Sequence, residues 1–298
     1  MKTTEKTAVL KQRVITAVIL LLLLIGATTL LGPFSFALVI ALIVLLAAWE
    51  WGGLLGLAQR QAKIGFLVSI ALMAAGTFFL LGVTPGAVAI DVLRVELLLI
   101  LGIIFWLFVL LLLIQYPASR SRWNDPSRIA AMGLFALLPT LAGIMQLKYL
   151  ASTGWLVLAL VVLVAAVDIG AYFAGTYFGR RKLAPDLSPN KSWEGVWGGL
   201  GLSLLVTLIC AWVVHNYFAA LSLPAFLLFI GLAPVVTFFS VTGDLLESML
   251  KRNSEVKDSG TLLPGHGGLL DRVDGLLAAT PAFTLMTTLL LEVNEVLL

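Results

Sequence analysis

Long apolar runs, separated by short breaks of glycine, proline or clustered charge, organise the 298-residue chain from end to end. Runs long enough to cross a bilayer read at about 14–32, 34–57, 64–82, 95–114, 129–147, 153–178, 196–214, 225–243 and 275–291, a helical span taking about 20 residues. The breaks fall at Gly32-Pro33, Gln59 to Lys63, Thr84-Pro85-Gly86 and Ser119 to Arg128. None of the runs alternates as the wall of a barrel must. The expected fold class is therefore all-α: a polytopic integral membrane protein of about nine transmembrane helices. The first run is read as an uncleaved span, because its apolar stretch of about 18 residues exceeds a signal-peptide core and no small-residue cleavage site follows it.

Composition agrees and removes the alternatives. Hydrophobic residues make up 60% of the chain, and 12% are charged, against about a quarter in soluble domains. A mean hydropathy of +1.06 excludes a water-soluble globule as well as fibrous and disordered chains. One cysteine, Cys210, allows neither an intrachain disulfide nor a cysteine metal cluster. The two histidines, His215 and His266, do not form an H-E-x-x-H pair, so a zinc enzyme is not expected.

The net charge of +3 says little, but its distribution orients the chain. With the N-terminus in the cytoplasm and nine alternating spans, 17 of the 19 lysines and arginines fall in cytoplasmic segments, and only Arg94 and Lys148 fall outside. This places the N-terminus inside and the C-terminus on the opposite side. Residues 1–150 are expected to form about five spans of an N-terminal region. Residues 151–298 form a C-terminal region whose polar residues gather at the cytoplasmic face. No internal repeat is visible. The pairs Gly52/Gly56, Gly175/Gly179 and Gly195/Gly199 are read as close helix packing.

The densest polar stretch is Gly243–Gly275, GDLLESMLKRNSEVKDSGTLLPGHGGLLDRVDG, with six acids and four bases. Asp244, Glu247, Ser248 and Lys251 follow at i, i+3, i+4 and i+7, so a continuing helix sets all four on one face. Asp271 and Asp274 are likewise one turn apart. Carboxylates so spaced, facing a third across a gap, can hold a hard cation such as Mg²⁺ that keeps positions open for phosphate oxygens. Nearby lysines and arginines would offset phosphate charge, and the glycines allow a turn whose N–H groups approach an anion. The other reading of these residues is a solvated loop whose mixed charges keep it out of lipid. Walker A and EF-hand spacings are absent.

The string from Ser248 to Asp274, S-x-L-K-R-x₄-K-D-S-G-x₂-L-P-x-H-G-G-L-x-D-R-V-D, resembles the signature of the phosphatidate cytidylyltransferases, also called CDP-diacylglycerol synthases. Two further segments look like the same family: Asp168 to Gly175 followed by Gly179, and Ser188 to Gly195. The resemblance covers residues 150–298 by motif and the remainder by length and hydropathy. Asn190 departs from the family pattern, which often carries a second lysine there, leaving Lys191 as the base of that segment.

This resemblance implies condensation of CTP with phosphatidic acid to CDP-diacylglycerol and pyrophosphate, in the bacterial-type inner membrane with the site facing the cytoplasm. It implies Mg²⁺, with room for a second cation of unknown identity, on Asp244, Asp271 and Asp274. Lys191, Lys251, Arg252, Lys257 and Arg272 become phosphate contacts, with Ser188, Tyr172, Glu247 and Ser248 in the substrate site. His266 either bonds a phosphate or shapes the glycine turn. A homodimer is implied by the family, and no nucleic-acid partner is expected.

Asp168 lies about ten residues inside its span, some 15 Å deep at about 1.5 Å per residue, where a lone charge costs several kcal/mol. It is therefore expected to face a polar cavity and to serve the substrate site, the other reading being a protonated or paired structural carboxylate within the bundle. Glu50, between Trp49 and Trp51, reads equally as a site residue or as part of an aromatic belt. His215 is expected at the outer interface. A CTP-dependent polyprenol or phytol kinase is the nearer alternative function, and the complete Ser248–Asp274 string argues against it. A secondary transporter using Asp168 and Glu50 is disfavoured by the one-sided polar cluster.

Overall fold

The structure, a computed structural model, describes residues 2–56 and 60–294, with side chains at position 12 and from 14 onward. The basic side chains of Lys2, Lys6, Lys11 and Arg13, and the break residue Gln59, lie outside the described residues. The elements in chain order are α1 (Lys2–Leu30), α2 (Pro33–Leu54), α3 (Arg60–Leu81), α4 (Val92–Ile114), α5 (Arg120–Trp123), α6 (Pro126–Leu150) and α7 (Trp155–Phe178). They continue with β1 (Lys182–Ala184), β2 (Ser188–Ser192), α8 (Trp193–Tyr217), α9 (Leu223–Asn253) and α10 (Leu270–Val293).

Eight of these helices, α2, α3, α4 and α6 to α10, are long and apolar enough to cross a membrane, and Val14–Leu30 of α1 adds a shorter apolar stretch. The chain is a polytopic all-α membrane protein. Helix starts follow local chemistry: Asp91 caps α4 by accepting from the Arg94 N–H at 3.0 Å, and Ser192 caps α8 through the Gly195 N–H at 3.2 Å. Proline opens α2 and α6, where its missing N–H costs nothing.

Two differences from the sequence expectation matter. Helix α9 runs ten residues past the apolar run ending at 243, and α10 starts at Leu270, before its apolar run. Both extensions carry the charged residues that partner one another below. The second difference is an antiparallel hairpin, β1–β2, between α7 and α8, pairing Lys182 with Ser192 and Ala184 with Ser188. Strands this short carry almost no periodic signal.

Small residues set the helix spacing. On α7 and α8, a Cβ on Gly198 would collide with Ala174 and the Gly170 carbonyl, and one on Gly199 would lie 2.8 Å from the Val167 carbonyl. Gly175 and Gly195 share this seam, which bears out close packing for those two glycines. Gly56 instead takes a left-handed turn with φ of 69°, and Gly179 ends α7. In the other half, Gly102 of α4 admits Pro139 of α6 and Pro281 of α10.

Trp51 corrects the belt reading: it is 3% exposed, packs on Gly133 and donates to the Ile129 carbonyl at 2.9 Å. Lys148, fully buried, donates to the carbonyls of Thr28 and Ser152 at the opposite end of the bundle from Asp274.

Gly198→Leu is expected to lower the melting temperature in detergent by several degrees, from an overpacking cost of about 1–3 kcal/mol. Gly201→Leu, a position with open space around it, should leave the melting curve near wild type. Equal effects in the two variants would remove the seam as the determinant of α7–α8 packing.

Candidate active site

The site is assembled where α9 crosses α10. A Cβ on Gly243 would strike the Asp274 carbonyl, and one on Gly275 would lie 2.6 Å from the Ser240 hydroxyl. This backbone contact brings the carboxyl groups of Asp244 and Asp274, one on each helix, within hydrogen-bonding reach of each other. Two carboxylates at that separation repel unless a cation or a shared proton lies between them. The Lys191 ammonium, carried in by β2, pairs with Asp244. Lys191 is held in register by the hairpin, whose turn is fastened to α9 where Arg252 Nε donates to the Leu187 carbonyl at 3.3 Å.

A second charge group lies beside the first. Lys251 Nζ bonds Asp271 Oδ1 at 2.7 Å and Glu247 Oε2 at 2.9 Å. The other oxygen of Asp271 accepts from the backbone N–H groups of Gly268 at 2.8 Å and Ser259 at 3.0 Å. Asp271 thus ties α10, α9 and the loop between them. Glu247 is 7% exposed and its Oε1 is buried without a hydrogen-bond partner among the described residues.

Asp244 and Lys191 border a cavity of about 300 Å³ between α7, α8, α9 and the hairpin, which Asp168, Tyr172, Ser188 and Asn190 also line. Asp168 opens into this cavity, as its depth in the span predicts, within electrostatic range of Asp244, Lys191 and Arg272. Tyr172, one turn further, is 67% exposed on the wall. The structure therefore gathers Asp168, Tyr172, Ser188, Lys191 and Asp244 around one space, with Asp274 beside Asp244.

The remaining sequence candidates do not line this cavity, and of them Arg272 lies within electrostatic range of Asp168. Arg272 donates to the His266 carbonyl at 2.8 Å, bracing the turn in which Gly265 and Gly267 adopt φ of 76° and 84°. His266 Nδ1 is buried and unpartnered among the described residues. Ser248 is half-buried on α9, and Lys257 is exposed in the loop between α9 and α10. His215 lies away from the site, where its Nδ1 accepts from the Leu221 N–H at 3.0 Å.

Glu50 is the residue whose place the sequence left open. It is 4% exposed, and its Oε2 accepts from the Leu270 N–H at 2.8 Å and the Ser259 hydroxyl at 3.2 Å. A carboxylate from α2 thereby satisfies the first N–H of α10 at a buried helix start. Gly268 is required at this contact, since a Cβ there would lie 2.6 Å from Glu50 Oε2.

The donors available for a metal are hard oxygens. Among the described residues, no group of three or more His, Cys, Asp and Glu is placed to hold an ion. The facing pair Asp244 and Asp274 does fit Mg²⁺, which commonly takes one or two carboxylates and completes its shell with water and substrate phosphates.

Comparison with known proteins agrees with the motifs. The sequence model of the cytidylyltransferase family matches residues 11–290. The phosphatidate cytidylyltransferase of Pseudomonas aeruginosa is 43% identical over 274 residues, 92% of this chain and 95% of the relative. That of Haemophilus influenzae is 40% identical over 288 residues, 92% of this chain and 97% of the relative. The protein of the same name from Bacillus subtilis is 46% identical over 121 residues, 40% of this chain and 42% of the relative. A bundle of membrane-spanning helices with a carboxylate- and lysine-lined cavity at one end defines the class; the chain belongs to the cytidylyltransferase family.

Glu50→Ala strands two donors, at about 1–3 kcal/mol if neither finds water. Opening of the 254–269 loop should become roughly tenfold or more easier. Limited trypsin digestion, read as the rate of cleavage after Lys257, checks this; an unchanged rate would show that Glu50 does not hold the loop.

Proposed function

We propose that the chain condenses CTP with phosphatidic acid, giving CDP-diacylglycerol and pyrophosphate. The observation that carries this reading is the meeting of Asp244, Asp274 and Lys191 at the head of a cavity open along α7. Its anionic walls call for a divalent cation, and its lysine offers a phosphate contact. Family membership and the two relatives matched along nearly their whole length support the same reaction.

In this reaction an oxygen of the lipid phosphate bonds to the α-phosphorus of CTP. The bond from that phosphorus to the bridging oxygen of the leaving group breaks, and pyrophosphate departs. The lipid phosphate is already largely ionised at neutral pH, its second pKa being about 6, so no general base is needed. The difficulty is bringing two anions together. Asp244 and Asp274 would hold Mg²⁺, which supplies charge neutralisation for the phosphates. Lys191 exchanges its pairing with Asp244 for a phosphate oxygen, and Ser188 and Asn190 line its approach. Arg272 and Lys257 would meet the nucleotide's charge. Lys251, already shared by Glu247 and Asp271, keeps the loop and both helices in register. Asp271, with both oxygens engaged, does the same and leaves the metal to the facing pair.

The inner membrane with the site toward the cytoplasm is the location we assign. Arg180, Arg181, Lys182, Lys191, Lys251 and Arg252 all belong to the site end, whereas Lys148 and Arg94 belong to the other. The family resemblance supports a homodimer, and the exposed Tyr172 on the cavity wall supports entry of phosphatidic acid from the bilayer.

Purified protein supplied with phosphatidic acid, labelled CTP and Mg²⁺ should form CDP-diacylglycerol and pyrophosphate in equal amounts, and none with a chelator present. Asp274→Asn should lower kcat by about 10²-fold or more, a typical loss when a group stabilising transition-state charge is removed. Lys191→Met should raise the KM for CTP as well as lower kcat. Wild-type activity in Asp274→Asn, or phosphate transfer to a polyprenol in place of lipid nucleotidyl transfer, would overturn the reading.

A further inference from the structure

A groove separate from the reaction cavity runs between α4 and α6. Its volume is about 610 Å³, and its walls include Phe105, Phe108, Phe135 and Trp123, with Arg122 and Arg128 at one end. Leu101 and Leu112 of α4 both line it, so it extends about 17 Å along that helix at ~1.5 Å per residue. That is close to half of a hydrocarbon core about 30 Å thick, the depth of one leaflet.

The two ends differ in chemistry. The long wall is apolar and partly open, with Ile104 57% and Phe108 52% exposed. At the mouth stand two guanidinium groups, neither of which is ion-paired among the described residues. Arg122 donates to Gln115 Oε1 at 2.8 Å and Arg128 to the Arg122 carbonyl, which fixes them on one short elbow. Asp125, the carboxylate beside them, is engaged by Ser127 as the cap of α6. Trp123, 1% exposed, lines the same end, and its indole N–H is buried without a partner among the described residues. Such a buried donor, with two unpaired cations, calls for an acceptor-rich anion.

We propose that this groove binds one anionic phospholipid, its phosphate between Arg122 and Arg128 and an acyl chain along α4. The lipid is distinct from the molecule that reacts. Its head would lie at the membrane face that carries the reaction cavity, because Asn124, next to Trp123, accepts from Asn253 Nδ2 at 2.6 Å, two residues beyond Lys251. A zwitterionic lipid meets the same apolar wall but lacks the net charge the two arginines select.

Native mass spectrometry of the full chain, released from detergent with phosphatidylglycerol or phosphatidylcholine, tests this. Phosphatidylglycerol carries a phosphodiester and cannot serve as the phosphomonoester nucleophile, so failure here is separate from failure of the proposed reaction. Wild type should retain one more phosphatidylglycerol than R122Q/R128Q, and should not retain phosphatidylcholine to the same extent. Ile104→Trp, which fills the apolar wall and keeps both arginines, should also lose that lipid. CTP binding equal to wild type would show that both variants are folded. Equal phosphatidylglycerol retention by wild type and R122Q/R128Q would overturn the proposal. So would equal retention of both lipids, or a dimer that Ile104→Trp dissociates with no change in bound lipid, which would assign the groove to a second copy.

Discussion

The close crossing of α9 and α10 is the contact on which the site depends. Gly243 lets the α10 backbone reach α9, and only because the two helices touch there do Asp244 and Asp274 come face to face. Any side chain at Gly243 would drive the Asp274 carbonyl away and separate the carboxyls with it. The glycine thus trades local helix propensity for geometry at the membrane face.

Charge in this setting is stable only in company. Lys191 comes from a hairpin, Asp244 and Lys251 from α9, and Asp271 and Asp274 from α10, so each pairing crosses between elements. Removing Lys251 would leave the buried carboxylates of Glu247 and Asp271 uncompensated, which is far more costly than the pairing is favourable. The same pairings explain why α9 and α10 continue as helices beyond their apolar runs. Their polar turns are satisfied by one another, and the hairpin is drawn against α9 through Arg252 and Leu187.

The helices were legible because apolar runs bounded by glycine and proline state their lengths directly. The C-terminal cluster was legible because its residues recur at one-turn spacing, and the depth of Asp168 correctly pointed to a cavity. What could not be read was partnership across the bundle. Nothing local in Ala48-Trp49-Glu50-Trp51 distinguishes an aromatic belt from a buried tryptophan on Gly133 and a carboxylate beneath a distant loop. The hairpin was missed because three- and five-residue strands leave no periodicity. Spacing and the family resemblance set Asp271 equal to Asp274, whereas the fold commits both oxygens of Asp271 to Lys251 and to backbone N–H groups.

The carboxylate that α2 lends to α10 couples the two halves of the chain by rotational phase. Each residue of an α-helix advances the side-chain direction by about 100°. A one-residue insertion ahead of Glu50 would keep α2 apolar and long enough to span, yet turn this carboxylate out of the loop and into lipid. Trp51 would leave its slot on Gly133 in the same step. The length of an otherwise featureless hydrophobic helix is thereby made as exacting as a catalytic motif, and it is counted in single residues rather than in ångströms of bilayer.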